Sequence, residues 1–266
     1  MKEQENVIFK YSLRDIADPR LGQYVAILLC RRGECTFGYN SRRITLRSQD
    51  IAVSRCARLS PQGQSHDCLI EILLLNAVYI NSFRDMDYAV KGQMELFLNP
   101  VLHLTSDQMM VMRANFQFVS YHQLHQEHHY YDKVLQHGVQ LLLLDLFDIL
   151  AQRRGQVRST SRYSNLMKGF MAMLERGDYH EHRDVDHYAQ ELCVSAKHLA
   201  RVSRQCTGFS AAYWINRFLQ LDMRRRLYEH QHTIQELAYY YHFSSPSYFT
   251  RYIEKNLGLS PKHLQD

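Results

Sequence analysis

Two arginines fifty residues apart, Arg201 and Arg251, each stand six residues after a serine in segments built on one pattern. The first segment is CVSAKHLARVSRQCTGFS, from Cys193 to Ser210, and the second is HFSSPSYFTRYIEKNLGLSP, from His242 to Pro261. At the offset of fifty, Ser195 falls on Ser245, Leu199 on Phe249, Arg201 on Arg251, Gly208 on Gly258 and Ser210 on Ser260. A serine that caps a short helix, an apolar anchor on one face and an arginine on the other suit the reading of duplex DNA. A guanidinium meets guanine O6 and N7 with two hydrogen bonds in the major groove. In the first helix Leu199 and Val202 point inward, leaving Lys197, His198, Arg201 and Arg204 outward. In the second, Phe249 and Ile253 point inward, leaving Ser247, Tyr248, Thr250 and Arg251 outward. A single polar helix face is ordinarily a solvated surface; two in register at a fixed offset argue for a shared task.

A second candidate chemistry lies in YHQLHQEHHYY (Tyr121–Tyr131), where His122, His125 and His129 fall at i, i+3 and i+7. On a continuous helix that spacing could ligate Zn²⁺; the alternative is a His-rich polar face or interhelix bend, and no metal is expected. Barrel enzymes of the metal-dependent kind need paired His and a Glu on their strands, and the strand-rich part holds only His66. No Ser/His/Asp or Cys/His arrangement and no Gly-rich phosphate loop is evident among the 11 glycines, so neither catalysis nor a cofactor is expected. The six cysteines (Cys30, Cys35, Cys56, Cys68, Cys193, Cys206) form no CxxC pair and are expected to be reduced thiols.

The elements that position these residues change character along the chain. YVAILLC (Tyr24–Cys30), ECTFGY (Glu34–Tyr39), RRITL (Arg42–Leu46), DIAVS (Asp50–Ser54) and CLIEILLL (Cys68–Leu75) predict short strands of a small antiparallel barrel or sandwich. A helix follows from a Ser106 cap to about Tyr121, then another from about Tyr130 to Arg154. Val134, Leu135, Val139, Leu142, Leu146 and Leu150 form its wide apolar face, suited equally to a core and to a dimer contact. The polar run around residues 156–165 is read as a linker between a domain at 1–155 and one at 166–266. Beyond it helices are expected at about Leu166–Arg176, Val185–Cys193, Ser195–Cys206, Ser210–Tyr228, Thr233–His242, Ser245–Asn256 and Pro261–Leu264. Val185 with Ala189 and Ile234 with Ala238 open two units of short helix, tight turn and second helix, the helix-turn-helix pattern.

Bulk properties agree with a soluble globular protein: 266 residues, 45% hydrophobic, 22% charged, net charge +5. From Ser161 onward, 14 Lys and Arg face 11 Asp and Glu, a net of +3, which permits a nucleic-acid partner without requiring one. The N-terminal MKEQENVIFK has no apolar leader and LLLLDLFDIL (Leu141–Leu150) is about half a bilayer span, so a cytoplasmic location off the membrane is expected.

IQELAYYYHFSSPSYFTRYIEKNLGLSP, together with WINRFLQLDMRRRL (Trp214–Leu227), resembles the DNA-binding domain of AraC/XylS-type transcription regulators over residues 166–266. Ile234, Ala238, Phe243, Ser247, Tyr248, Phe249, Arg251, Lys255, Gly258, Ser260 and Pro261 carry the family's C-terminal motif. The resemblance implies two helix-turn-helix units joined by a rigid helix, here Ala211–Tyr228, entering successive major-groove segments ~34 Å apart. It implies as DNA-binding residues Ser195, Lys197, His198, Arg201 and Arg204 in one unit, and Ser245, Ser247, Tyr248, Thr250, Arg251 and Lys255 in the other. Departures from the family are His242 for a turn Gly, Ser203 for a large apolar residue, Met223 for Ala, Glu254 for Lys and Gln265 for Arg. Looser packing of the first reader and weaker phosphate anchoring are therefore expected, the latter offset by at least one of Arg224, Arg225 and Arg226. The fold class expected is α+β: a cupin-like antiparallel β-barrel with a long helix pair, then an all-α domain. The function expected is a transcription regulator, more an activator than a repressor, with double-stranded DNA as partner and RNA polymerase if it activates. A homodimer through the N-terminal helices and a small-molecule effector in the barrel complete that reading; control by a protein partner through those helices is the alternative.

Overall fold

The computed structural model describes residues 5–39, 42–81, 96, 100–152 and 162–257, and the chain divides into two units, Met1–Arg158 and Ser159–Asp266. In the first unit the described strands form two antiparallel sheets. One has the order β1 (Val7–Lys10), β7 (Leu69–Asn76), β2 (Tyr24–Arg32), β5 (Asp50–Arg55) and β8 (Val101–His103). The other has the order β4 (Arg42–Arg47), β3 (Glu34–Tyr39) and β6 (Ser60–Gln64). The run YVAILLC does not alternate because β2 is buried on both faces. Ala26, Leu28 and Cys30 enter a core with Ile72 and Leu74 of β7, Phe37 and Tyr39 of β3 and Leu46 of β4. Ile27 and Leu29, with Leu73 and Leu75, enter a second core on the opposite face. Three strands, β1, β6 and β8, are missing from the sequence-based expectation. They are short and lie at sheet edges, where Pro61 and Gly63 of β6 are tolerated because one side of the strand makes no ladder bonds.

The second core is closed by helices. After the short α1 (Ala77–Asn81), α2 (Ser106–Leu124) and α3 (Tyr131–Gln152) contribute Met112, Phe116 and Val119, and Leu135, Val139, Leu142, Leu146 and Leu150. The expected apolar face of α3 is thus a core face, Val134 alone being only partly buried. Although α3 is long and apolar enough to cross a bilayer, 50% of its most apolar window is buried within the unit. The two helices approach closely at Gly138, where a Cβ would meet the Phe118 ring at 2.7 Å. Thr105, and not Ser106, caps α2: its hydroxyl accepts from the Gln108 amide at 3.2 Å while the Gln108 side chain accepts from the Thr105 amide at 3.0 Å. The reciprocal pair needs a Gln three residues on, which only Thr105 has.

One sequence reading of histidine is decided here, in favour of the interhelix bend, and one is corrected. Helix α2 ends at Leu124 and His125 is its C-cap, its ring stacked on Tyr121 at 4.0 Å, so His129 lies in the connecting turn and the three histidines share no helix face. The strand region also holds a second histidine, His103 on β8, whose Nδ1 is 2.8 Å from Asp50 Oδ1. Among the described residues no group of three His, Cys, Asp or Glu is arranged to hold a metal ion.

The second unit is helical: α4 (Arg162–Arg176), a 3₁₀ turn (Asp178–His180), α5 (Val185–Glu191), α6 (Ala196–Thr207), α7 (Ala211–Tyr228), α8 (Ile234–Tyr240) and α9 (Pro246–Leu257). Trp214, Ile215, Leu219, Met223 and Leu227 of α7 are buried, as are Phe170 and Leu174 of α4, Leu199 and Val202 of α6, and Phe249 and Ile253 of α9. The expected terminal helix at Pro261–Leu264, and Gly258, Ser260 and Gln265, lie outside the described residues.

Candidate nucleic-acid interface

Both helix-turn-helix units are built by the same local devices. Asp184 caps α5, its carboxylate accepting from the His187 amide at 2.9 Å, and Thr233 caps α8 with Glu236 completing a capping box. Tyr188 and Ala189 in α5, and Leu237 and Ala238 in α8, are the buried residues. The chain then turns through a left-handed residue four positions after each alanine, Cys193 and His242, both at φ 53. His242 was expected at such a position; Cys193, its counterpart, carries the same cost for a side chain with a Cβ. The amides of Val194 and Phe243 bond back to the carbonyls of Ala189 and Ala238 at 2.9 and 2.8 Å. Ala189 to Ser195 is six residues and Ala238 to Ser245 is seven, so the one-residue difference falls after the left-handed residue, and α5 ends two residues before Cys193.

The second helices open at Ser195 and Ser245, whose hydroxyls accept from the amides of His198 (3.2 Å) and Tyr248 (3.1 Å). Both serines thus spend one acceptor lone pair on starting the helix, leaving the hydroxyl proton and a second lone pair for a ligand. Leu199 and Val202 in α6 and Phe249 and Ile253 in α9 are fully buried, which fixes the opposite face outward. On that face Lys197, Arg201 and Arg204 are exposed and His198 is half-buried. The Arg201 guanidinium lies 2.9 Å from His198 Nδ1 on that face. On α9, Ser247, Tyr248, Arg251 and Lys255 are exposed and Thr250 is partly so.

Ser203 does not loosen the first reader. It is buried and its hydroxyl donates to the Phe209 carbonyl at 2.8 Å. Thr207 donates to the Ser203 carbonyl at 2.8 Å and receives the Trp214 indole N–H at 2.9 Å. A polar net that joins the end of α6 to the start of α7 fills the slot, with Gly208 at φ 85 ending the helix.

The arginine run on α7 meets a buried carboxylate. Asp222, 7% exposed on the inward face, binds Arg225 at 2.7 Å, Arg226 at 3.2 Å and the Tyr241 hydroxyl at 2.7 Å, and lies 3.3 Å from His180 Nε2. Burial works against its charge, but Tyr241, Arg226 and His180 outweigh that and hold its carboxyl below the usual range. Arg226 also reaches the Tyr240 hydroxyl at 2.9 Å and lies over that ring. Of the three arginines, at least one of which was expected to reach the DNA backbone, Arg226 is thus largely committed to the domain's own structure, while Arg225 pairs with Asp222 from an exposed position. Asp222 escaped the sequence reading, although an acidic residue inside the Ile215–Phe218–Leu219–Met223 stripe was a signal that something charged had to meet it.

Of the comparisons with known proteins, the family model falls on this same unit. Residues 188–266 match the family model described as a helix-turn-helix domain. The chain is 28% identical over 119 residues to the HTH-type transcriptional activator RhaS of Pectobacterium carotovorum subsp. carotovorum (strain PC1), covering 44% of this chain and 43% of that protein. The match thus spans less than half the length of the relative. Among solved structures, ToxT from Vibrio cholerae O395 is similar at 12% identity over 91% of this chain and 88% of that one, with a TM-score of 0.33. The AraC-like transcriptional activator CuxR is similar at 13% identity over 80% of this chain and 71% of that one, with a TM-score of 0.39.

Proposed function

We propose that this chain, whose C-terminal unit is a helix-turn-helix domain of the AraC/XylS type, is a transcription regulator that reads two adjacent major-groove segments of duplex DNA. The observation that carries this reading is the pair of helices α6 and α9. Each is capped by a serine and anchored by two fully buried apolar residues, and each presents an exposed arginine at the same place, Arg201 and Arg251. Base-edge contacts are assigned to Lys197, His198, Arg201, Arg204, Ser247, Tyr248, Thr250 and Arg251, and backbone contacts to Ser195, Ser245 and Lys255. The name of the relative supports activation, which makes RNA polymerase a partner. The site implies a cytoplasmic protein that is not an enzyme. Binding to operators with single base-pair changes tests the assignment. Arg201→Ala and Arg251→Ala each relax specificity at one or two positions, at a cost of about 1–3 kcal/mol. If both variants bind and discriminate as the wild type does, the reader assignment is wrong.

Control is assigned to the first unit, as a homodimer formed through α2 and α3. Phe118, Leu141 and Leu144 remain exposed on those helices after their core faces are buried. A small effector bound in the barrel is the sequence-based expectation; among the described residues Leu28, Phe37, Leu46, Ile72 and Leu74 are packed together with no exposure, so an effector would have to lie elsewhere in the unit than among these five. Control by a protein surface on the helices is the alternative reading. A metabolite that raises the calorimetric unfolding temperature of the chain would restore the effector.

A further inference from the structure

The helix α7 is not the only connection between the two readers. The segment that leads into α5, the first unit's opening helix, also grips the turn of the second unit. Arg183, half-buried one residue before the α5 cap, donates to the Tyr241 carbonyl and lies 4.8 Å over the Phe243 ring. His180 stacks on the Tyr241 ring at 5.6 Å and an interplanar angle of 20°, and its Nε2 meets Asp222 at 3.3 Å. Glu181 lies 3.1 Å from His242 Nε2, an exposed pair of little energetic weight. Tyr241 is the residue that ends α8, so its carbonyl belongs to the group of helix-terminal acceptors without an intrahelical partner. A cation at that end satisfies the carbonyl and the helix dipole together. The turn of the second unit is thereby held from two sides, from α7 through Asp222 and Tyr241, and from the segment 180–183 through Arg183.

We propose that Arg183 is a positioning residue for DNA recognition: it braces the second helix-turn-helix against the first and so fixes the spacing of the two DNA segments the chain accepts. This rests on the reading of the chain as a two-segment DNA reader. The physical need is plain. Between α7 and α8 the chain runs through residues 229–233, which include His230 at φ 51, and a short connection of that kind permits rotation about the end of α7. The contacts from α7, Asp222 with Tyr241 and Arg226 with Tyr240, all lie on one element, and the Arg183 contact from a different element adds an independent restraint on that rotation. One base pair of spacing changes the separation by ~3.4 Å and the facing by ~34°. A braced pair of readers must therefore reject a one-base-pair insertion more strongly than an unbraced pair.

The test uses the full chain and an operator selected from a random duplex pool, with versions carrying one base pair more or fewer between the two recognised blocks. Wild type loses at least about tenfold in affinity on either change. Arg183→Ala binds the original spacing more weakly and loses less than about threefold when the spacing changes, while Arg183→Lys, which can still donate to the Tyr241 carbonyl, recovers part of the wild-type penalty. A loss of stability alone would weaken all spacings alike and leave the penalty unchanged. Should Arg183→Ala fail to fold, Phe243→Leu removes the ring beneath the guanidinium and serves the same comparison. A wild type that selects no operator overturns the DNA reading and the brace with it. A wild type that selects two blocks, with variants that keep its full spacing penalty, overturns the brace alone.

Discussion

At the scale of single residues, the places where this chain departs from its expected pattern turn out to be places of compensation. Ser203 in an apolar slot looked like a weakness, and the polarity itself was legible. Its partner was not, because that partner is the backbone carbonyl of Phe209, placed by the turn at Gly208. Thr207 is the centre of this net, and Thr207→Val keeps its shape while leaving the Trp214 N–H without its acceptor. That substitution should lower the free energy of unfolding by about 1–3 kcal/mol in urea, the cost of a buried donor left unpaired. Cys193 is the opposite case, a side chain held at φ 53 with nothing gained. Cys193→Gly should raise the stability by about 1 kcal/mol in the same assay, the left-handed conformation being nearly free for glycine. The exposed residues of the readers, Arg201 and Arg251 above all, were legible because their positions follow from two buried anchors and helical geometry alone.

Among the elements, the helices of the second unit were read to within a few residues because caps and apolar spacing are local signals. The missed strands β1, β6 and β8 are edge or near-edge pieces whose pairing is decided by distant partners, such as Leu75 opposite Val7. The brace between the segment 178–183 and α8 was invisible for the same reason, since Asp222, His180, Arg183 and Tyr241 are scattered along the sequence. That cluster gives the second unit a pH dependence. Burial holds the His180 imidazole below its ordinary value, so the folded state takes up its proton later than the unfolded chain does. Its contribution is fully present above about pH 6.5 and is lost as the pH falls below that. Asp222, held low, adds a second loss at the lower pH where an unfolded carboxylate begins to protonate, near 4. The chain has one tryptophan, the buried Trp214, so its fluorescence follows this unit alone. The unfolding midpoint it reports should be level from pH 8 to 7 and decline from about 6.5 to 4. A midpoint that stays level down to pH 5 would mean that His180 titrates normally.

For the molecule as a whole, the α+β character and the order of a sheet unit before a helical one were legible from where strand-like runs give way to helical spacing. Which face of α3 would be spent on the core was not, since a wide apolar face serves either purpose until the sheet beside it is known. With Leu142 and Leu146 buried, Leu141 and Leu144 remain exposed, on the surface the proposed dimer would use. Sedimentation velocity should find the wild type dimeric, and Leu141→Glu combined with Leu144→Glu monomeric with an unchanged Trp214 unfolding midpoint. The central claim, that one chain reads two DNA segments, is tested most directly by selecting bound sites from a random duplex pool. The enriched sites should contain two blocks of sequence preference whose centres lie about 10–10.5 base pairs apart, one helical turn. A single block, or no enrichment at all, would contradict it.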